Sequence, residues 1–322
     1  MNKNKTNWVA VLTMMFLFGM IAFVTNLAAP IGVIWKQAPG VEGSNFWGMM
    51  GNMMNFLAYA FMGIPAGKLI TKIGYKKTTL IGVGVGLIGV FVQFLSGKIG
   101  VGSTLAGLPA NFFVYLLGAF ICGFSVCILN TVVNPMLNLL GGGGNRGNQL
   151  VQIGGTFNSL LGTLTPMLVG ALVGSVTKDT VITDVNLVLY MAMGVFAATF
   201  VILTFVPFVE PEQEKNNISV KSLFEYRHLV FGVVAIFFYV GVEVGIPGTM
   251  NFFLTDTLGT ANAATTAGFV AGTYWLLMLV GRFVSSLISG KVSSRAQLAA
   301  TSGAAIVLVI LAMFTTDVPA SM

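Results

Sequence analysis

The sequence predicts an all-α membrane protein with an N-terminal bundle of six helices and an incomplete C-terminal bundle of three. Hydrophobic residues make up 56% of the 322 residues and charged residues only 8%, too few charges to keep a soluble domain dissolved. Apolar runs of about 20 residues, the length that crosses a bilayer, recur along the chain. A single long polar stretch, residues 209–228, divides the first six runs from the last three.

Nine apolar runs are candidate transmembrane helices. The first follows a basic lead of Lys3 and Lys5, but it is too long for the apolar core of a signal peptide and lacks a small-residue cleavage site, so we expect it to be retained. The runs lie at residues 8–29, 45–66, 78–97, 108–140, 149–175, 185–208, 229–253, 263–289 and 298–316.

The runs group into three predicted units. Residues 1–208 form an N-terminal bundle, residues 209–228 a cytoplasmic linker that holds the single histidine, His228, and residues 229–322 a partial C-terminal bundle. Transporters built from repeats have this layout, in which a charged linker joins six helices to a second set of helices. A second half would then contain six helices, and we therefore expect the last three to be missing.

A faint internal similarity supports the repeat. "GIPAGKLITKIG" ends the second run and "GRFVSSLISGKV" ends the eighth, and three residues of each correspond at one constant offset. The corresponding pairs are Gly63 and Gly281, Leu69 and Leu287, and Ile70 and Ile288.

Lysine and arginine fall almost entirely on one side of the predicted membrane. With the N-terminus inside, that side receives twelve of them, and the other receives only Lys36, Lys98 and Lys178. This asymmetry follows the positive-inside rule and places the N-terminus in the cytoplasm, with the protein in the cytoplasmic membrane. A nucleic-acid surface would need no such alternation. Arg282 lies within the eighth run, where we expect it to snorkel towards the headgroups.

Two glycine-rich segments resemble nucleotide-binding loops but lack their context. "GVGLIG", residues 84–89, has no preceding strand and lies in a predicted membrane helix. There, Gly82, Gly84, Gly86 and Gly89 would let neighbouring helices approach closely. "GGGG" at residues 141–144 has no following Lys-Ser/Thr pair and is expected to form a cytoplasmic turn.

"LNTVVNP", residues 129–135, places polar residues in a very apolar run. Asn130 and Asn134 are four residues apart and share a helix face, and Pro135 frees the carbonyl of Thr131. Because lipid offers no hydrogen-bond partner, this face is expected to point into the protein. It could line a hydrated cavity or serve only as a polar clamp between helices.

Glu243 is the only acidic residue deep within any run. An acidic residue at the centre of a membrane helix costs about 2.5–3.5 kcal/mol, so such residues usually serve ions, protons or substrate. Tyr239, one turn earlier, could hydrogen-bond to it, and Pro247 frees its carbonyl. We predict a substrate or coupling role, with a buried structural acid as the alternative.

"GKLITKIGYKK", residues 67–77, resembles the cytoplasmic loop signature of the major facilitator superfamily. Gly67, Leu69, Gly74 and Lys76 match it, and Lys72 replaces the usual arginine. Thr71 stands where that superfamily usually carries an acidic residue implicated in gating. The resemblance implies the major facilitator fold and a gating loop formed by Gly67, Lys72, Gly74 and Lys76.

Three further segments resemble the fucose, glucose and galactose permease family within that superfamily. They are "NTVVNPMLNLLG", "NRGNQLVQIGGTFNSLLGTLTP" and "YVGVEVGIPG". Asn134 and Pro135 match the family's Asn-Pro, and Phe157, Asn158 and Ser159 match its Phe-Asn-Ser, whose asparagine helps to line the sugar site.

Two positions depart from the proton-coupled members of that family. Asn130 stands where they carry glutamate, and Ala29, in "TNLAAP", stands where they carry an acid. Proton symport by that route is therefore in doubt, and Glu243 remains as the coupling candidate. The coupling ion could be a proton or sodium.

Together these patterns predict a secondary active transporter that moves a monosaccharide or similar small polar solute by alternating access. A sugar site needs hydrogen-bonding groups and an aromatic face, although any one of the polar residues could be only an interhelical bond. Thr156 and Ser159 share the face of Gln152, and Asn251, Tyr274 and Trp275 are weaker candidates. The predicted substrate-binding residues are Asn26, Asn52, Asn55, Tyr59, Asn130, Asn134, Gln152, Asn158, Tyr239 and Glu243.

Two other classes of function compete with this prediction. The missing acids and helices would suit a non-transporting sugar sensor or an inactive truncated remnant. A membrane-embedded enzyme is disfavoured, because the chain has no histidine-rich cluster and no paired intramembrane carboxylates. Cys122 and Cys127 share one run and suggest neither a disulfide framework nor a metal site. We expect no cofactor or metal, a monomer in the lipid bilayer, and a sugar with a possible coupling ion as partners.

Overall fold

The computed structural model describes residues 8–173, 180–205, 225–258, 263–288 and 292–315. These residues form eight α-helices, a 3₁₀-helix at Ile182–Val185, and a small antiparallel hairpin of β1 (Thr104–Leu105) and β2 (Leu108–Pro109). The helices are α1 (Trp8–Trp35), α2 (Asn45–Leu95), α3 (Ala110–Leu140), α4 (Gly144–Val173), α5 (Asn186–Phe205), α6 (Arg227–Leu258), α7 (Ala263–Ile288) and α8 (Ser294–Phe314).

Helix α2 contains two of the predicted membrane runs, joined at a break. Gly74 has φ 84° and ψ 172°, outside the helical region, a conformation that glycine adopts without a Cβ penalty. With the two parts of α2 counted separately, the described residues place a helix at each of the nine predicted runs. The predicted linker lies mostly outside the described residues, and His228 is exposed at the start of α6. The division into bundles stays a prediction.

Most of the helices are built for a membrane. In the described part of the chain, six helices are long and apolar enough to cross one. Helices α4 and α7 have a comparable length but carry more polar residues, and they pack against each other. The protein is therefore a multi-pass membrane protein, as the composition predicts.

The hydrophobic core lies among α1 to α5. Helix α1 is mostly buried, with Val11, Leu17 and Ile31 almost completely inaccessible, although its N-terminal part exposes apolar side chains. Helix α2 packs along α3, and α1 along α4. By contrast, α6 and α8 expose apolar side chains such as Phe237 and Leu308. Such side chains are suited to contact with lipid.

Three of the four glycines predicted to permit close packing do so. A Cβ on Gly82 would lie 3.0 Å from Ile128 and Leu129 of α3, one on Gly86 would collide with Phe196 of α5, and one on Gly89 would lie 2.7 Å from the backbone nitrogen of Cys122. The expectation for Gly84 is wrong, because its nearest neighbour would be Phe200 at 3.8 Å. The "GGGG" turn is confirmed: Gly142 to Gly144 all have positive φ.

These glycines offer a matched test within one helix. We expect Gly89→Ala to destabilise the protein by about 2 kcal/mol, because the new methyl group meets the α3 backbone. Gly84→Ala should be neutral or stabilising by up to about 1 kcal/mol, since alanine favours the helix. Unfolding of the purified protein in mixed micelles measures both changes. Equal effects of the two substitutions would contradict close packing at Gly89.

Candidate functional site

An ion pair between Glu243 and Arg282 is the centre of the candidate site. Arg282 Nη2 lies 2.6 Å from Glu243 Oε1, and the exposed fractions of the two side chains are 20% and 14%. The expectation that Arg282 snorkels towards the headgroups is therefore wrong. Its guanidinium turns inward because a charge within a membrane helix is stabilised best by an opposite charge.

Arg282 also joins three helices. Its Nη1 group donates to Gly155 O and Ser159 Oγ of α4, both at 3.0 Å. Its Nη2 group donates to Tyr239 OH of α6 at 3.4 Å, in addition to Glu243. A Cβ on Gly155 would lie 3.3 Å from Arg282 Cδ, so this glycine leaves room for the arginine. The guanidinium thus connects α4 to α6 from its position on α7.

Aromatic residues on α7 extend the same surface. A Cβ on Gly162 of α4 would lie 3.3 Å from Asn26 Nδ2 and 3.6 Å from the Trp275 ring. Trp275 packs edge to face against Tyr274, with ring centroids 5.7 Å apart. Asn26 donates to Ala22 O at 2.8 Å. The structure therefore brings Asn26 of α1 and Trp275 of α7 to the same point on α4.

The predicted polar face of α3 forms a second cluster. Asn130 Nδ2 donates to Tyr59 OH of α2 at 2.7 Å, and Asn134 Nδ2 donates to Asn130 O at 3.1 Å. All three side chains are partly buried. The inward direction of this face is confirmed, and its contact with Tyr59 is the interhelical bond that the sequence left open as an alternative.

Removing the Tyr59 hydroxyl tests the strength of this cluster. We expect Tyr59→Phe to destabilise the protein by about 1 kcal/mol, the net contribution of a partly buried hydrogen bond. Asn130→Ala should remove the same bond, so the two substitutions together should cost less than the sum of their separate effects. Unfolding of the two single variants and the double variant in micelles measures the coupling, and strict additivity would contradict it.

The remaining predicted binding residues differ in their surroundings. Asn55 is buried, and its Oδ1 has no hydrogen-bond partner among the described residues. Asn52 and Gln152 are partly buried. Asn158 Nδ2 donates to Phe18 O of α1 at 3.0 Å, which gives this asparagine a structural contact. Its role in lining a sugar site stays a prediction.

The predicted gating loop lies around the break in α2. Gly74 forms the break, Gly67 is partly buried, and Lys72 is exposed. Lys76 Nζ donates to Thr204 O at 3.0 Å, close to the C-terminal end of α5, where a cation is favourable. The sequence offered no signal for this contact between residues 128 positions apart.

Arg282 is the functional candidate that sequence reasoning missed. The sequence did contain a signal for Arg282, because Arg282 and Glu243 are opposite charges in neighbouring apolar runs and intramembrane charges usually pair. Ser159, which the sequence places on the inward face of Gln152 and next to Asn158, is a completely buried partner of Arg282. The side chain of Asn251 lies outside the described residues.

Comparisons with known proteins agree with this architecture. The family described as Major Facilitator Superfamily matches residues 8–322. The glucose/galactose transporter of Brucella abortus biovar 1 (strain 9-941) is 30% identical over 271 residues, which cover 81% of this chain and 62% of that protein. The putative glucose/galactose transporter of Helicobacter pylori (strain J99) is 31% identical over 318 residues, covering 92% and 71%. The chain thus spans less than two thirds of the Brucella relative.

Solved structures show the same fold. A crystal structure of the Escherichia coli fucose:proton symporter superposes with a TM-score of 0.74 at 18% identity, covering 97% of this chain and 78% of that one. A second structure of that symporter, in the outward conformation, superposes with a TM-score of 0.70 at 18% identity, covering 95% and 78%. At this identity the likeness concerns the fold alone.

Proposed function

The chain belongs to the fucose, glucose and galactose permease family of the major facilitator superfamily, and on that premise we propose that it carries a monosaccharide across the cytoplasmic membrane. Relatives that are about 30% identical are named glucose/galactose transporters. The charge asymmetry of the loops supports an N-terminus in the cytoplasm.

The Glu243–Arg282 ion pair is the observation that carries the proposal. Its hydrogen bonds link α4, which lies before the predicted linker, to α6 and α7, which lie after it. Charged residues within membrane helices are energetically costly, so a partly accessible charged pair there usually serves a function. In transporters built from repeats, the substrate site lies where the two halves meet.

The proposed sugar contacts come from both halves. Asn130, Asn134 and Asn158 would offer amide groups to sugar hydroxyls from the first half, and Glu243 would offer a carboxylate from the second. Trp275 supplies an aromatic face beside Asn26, and such a face suits the apolar side of a sugar ring.

We further propose that transport follows alternating access. Residues 1–208 and 229–322 would move as two bodies joined by the linker. Helices α4 and α7 pack closely along their interface, so their contact would have to change between the two states. The contacts of Arg282 with α4 lie in this interface.

Counterflow in proteoliposomes tests the proposed function. Vesicles loaded with unlabelled D-glucose, D-galactose or L-fucose should take up the labelled form of the same sugar when they contain the protein. Protein-free vesicles are the control, and imposed proton or sodium gradients identify the coupling ion. No counterflow with any monosaccharide would overturn the proposal.

A sugar sensor is the second candidate. It is favoured by one observation, the neutral residues Asn130 and Ala29 at the two positions where the resemblance to proton-coupled members implies acids. Sugar binding to the purified protein without counterflow would support this second candidate instead of transport.

A further inference from the structure

The Glu243–Arg282 pair places two opposite charges next to each other at the proposed substrate site. We infer that Glu243 determines the charge selectivity of the site: by neutralising Arg282, it makes the site accept uncharged sugars and reject sugar acids. The inference deepens the proposed sugar transport and rests on it. The ligand class concerned is the hexoses, as opposed to the hexuronates, which carry a carboxylate at neutral pH.

The pair is accessible enough to meet a ligand. Both side chains are partly exposed, at 20% for Arg282 and 14% for Glu243. Tyr239 borders the pair and accepts a hydrogen bond from Arg282 at 3.4 Å. Hydroxyls and aromatic rings beside a charge are the groups that a sugar site uses.

The charge of Glu243 acts against an anionic sugar. A hexuronate entering the site would bring its carboxylate towards Arg282, whose charge is already neutralised at 2.6 Å, and would meet the negative charge of Glu243. Repulsion of this kind rejects a competing ligand without weakening the preferred one. The repulsion between the two carboxylates is strong in a site with little water, because the local dielectric constant there is low.

Arg282 has a second set of contacts that does not include Glu243. Its Nη1 group is held on α4 by Gly155 O and Ser159 Oγ, and neither contact involves the carboxylate. Neutralising Glu243 would therefore leave the guanidinium in place with an uncompensated charge. A guanidinium in a fixed position is a good partner for a carboxylate, which it can bind through two parallel hydrogen bonds.

Equilibrium binding to the purified full chain tests this inference. The probes are D-glucose, D-galactose, D-glucuronate and D-galacturonate, and the proteins are the wild type, Glu243→Gln, Glu243→Ala and the double variant Glu243→Gln/Arg282→Gln. The wild type should prefer the uncharged sugars by at least about tenfold. Each single variant should shift that ratio towards the acids by at least about tenfold. The double variant, which lacks both charges, should not show this shift.

Several outcomes would overturn the inference. An unchanged ratio in a folded Glu243→Gln protein would do so, with folding checked by thermal unfolding, and Glu243→Ala serves in the same way if the glutamine variant does not fold. An equal shift of the affinity ratio in the double variant would show that Arg282 does not cause the binding of sugar acids. If the wild type binds hexoses but the variants show no shift, only the inference fails. A wild type that binds none of the four sugars also overturns the inference, whereas the proposed function fails only if counterflow is absent as well.

Discussion

Replacing Arg282 by glutamine is expected to destabilise the protein by about 3 kcal/mol, because the substitution leaves the partly buried charge of Glu243 without its partner. It also removes the guanidinium that holds Gly155 and Ser159 of α4 against α7. Unfolding of the purified protein in mixed micelles measures the loss. We expect counterflow to fall to background as well, since the link between α4 and α6 is lost.

Two companion variants make this result specific. Arg295, at the start of α8, is exposed, so Arg295→Gln should leave stability and counterflow unchanged. Adding Glu243→Gln to Arg282→Gln should recover part of the lost stability, because the double variant contains no unpaired charge. A loss from Arg282→Gln no larger than that from Arg295→Gln would contradict the role of the ion pair.

Glu243→Gln is expected to abolish accumulation of an uncharged sugar against its gradient while leaving some exchange of that sugar. A carboxylate can take up and release a coupling cation, whereas an amide cannot, although both can hydrogen-bond to sugar hydroxyls. Uptake of labelled D-galactose into proteoliposomes, driven by an imposed proton or sodium gradient, measures accumulation. Counterflow in the same vesicles measures exchange.

Glu225→Gln is the matched control for this prediction. Glu225 precedes α6 and is exposed, so its substitution should affect neither the accumulation nor the exchange of the sugar. Uphill uptake by Glu243→Gln at the wild-type level would rule out the coupling role. A parallel loss of accumulation and exchange would instead point to a structural role, in which Glu243 serves mainly to hold Arg282.

The helices could be predicted from the sequence because their cause is local. Each apolar run must satisfy its own backbone hydrogen bonds in lipid, and a helix does so within the run. Two other local patterns were also correct. The spacing of Asn130 and Asn134 indicated an inward helix face, and the consecutive glycines indicated the turn after α3. The expectation for Gly84 was wrong because contact between helices is not local: the spacing of glycines along α2 does not specify which of them meets a neighbouring helix.

The candidate site was predictable only in part. Glu243 is recognisable in the sequence because an acid in an apolar run is rare and costly. The inward position of Asn26 and Asn134 also follows from their location in apolar helices. The approach of Asn26 and Trp275 to the same glycine, Gly162, and the bond from Lys76 to the end of α5 depend on contacts between distant residues.

The number of membrane crossings, the family and the presence of one acid deep in a helix can all be read from the amino-acid sequence. The partner of that acid is visible only once the helices are packed together. Arg282 is 39 positions away on another helix, and from sequence alone it could equally extend to the headgroups. The choice follows from packing: α4 and α7 approach at Gly155 and Ser159, and their hydrogen bonds, with the charge of Glu243, make the inward position more favourable than the membrane surface.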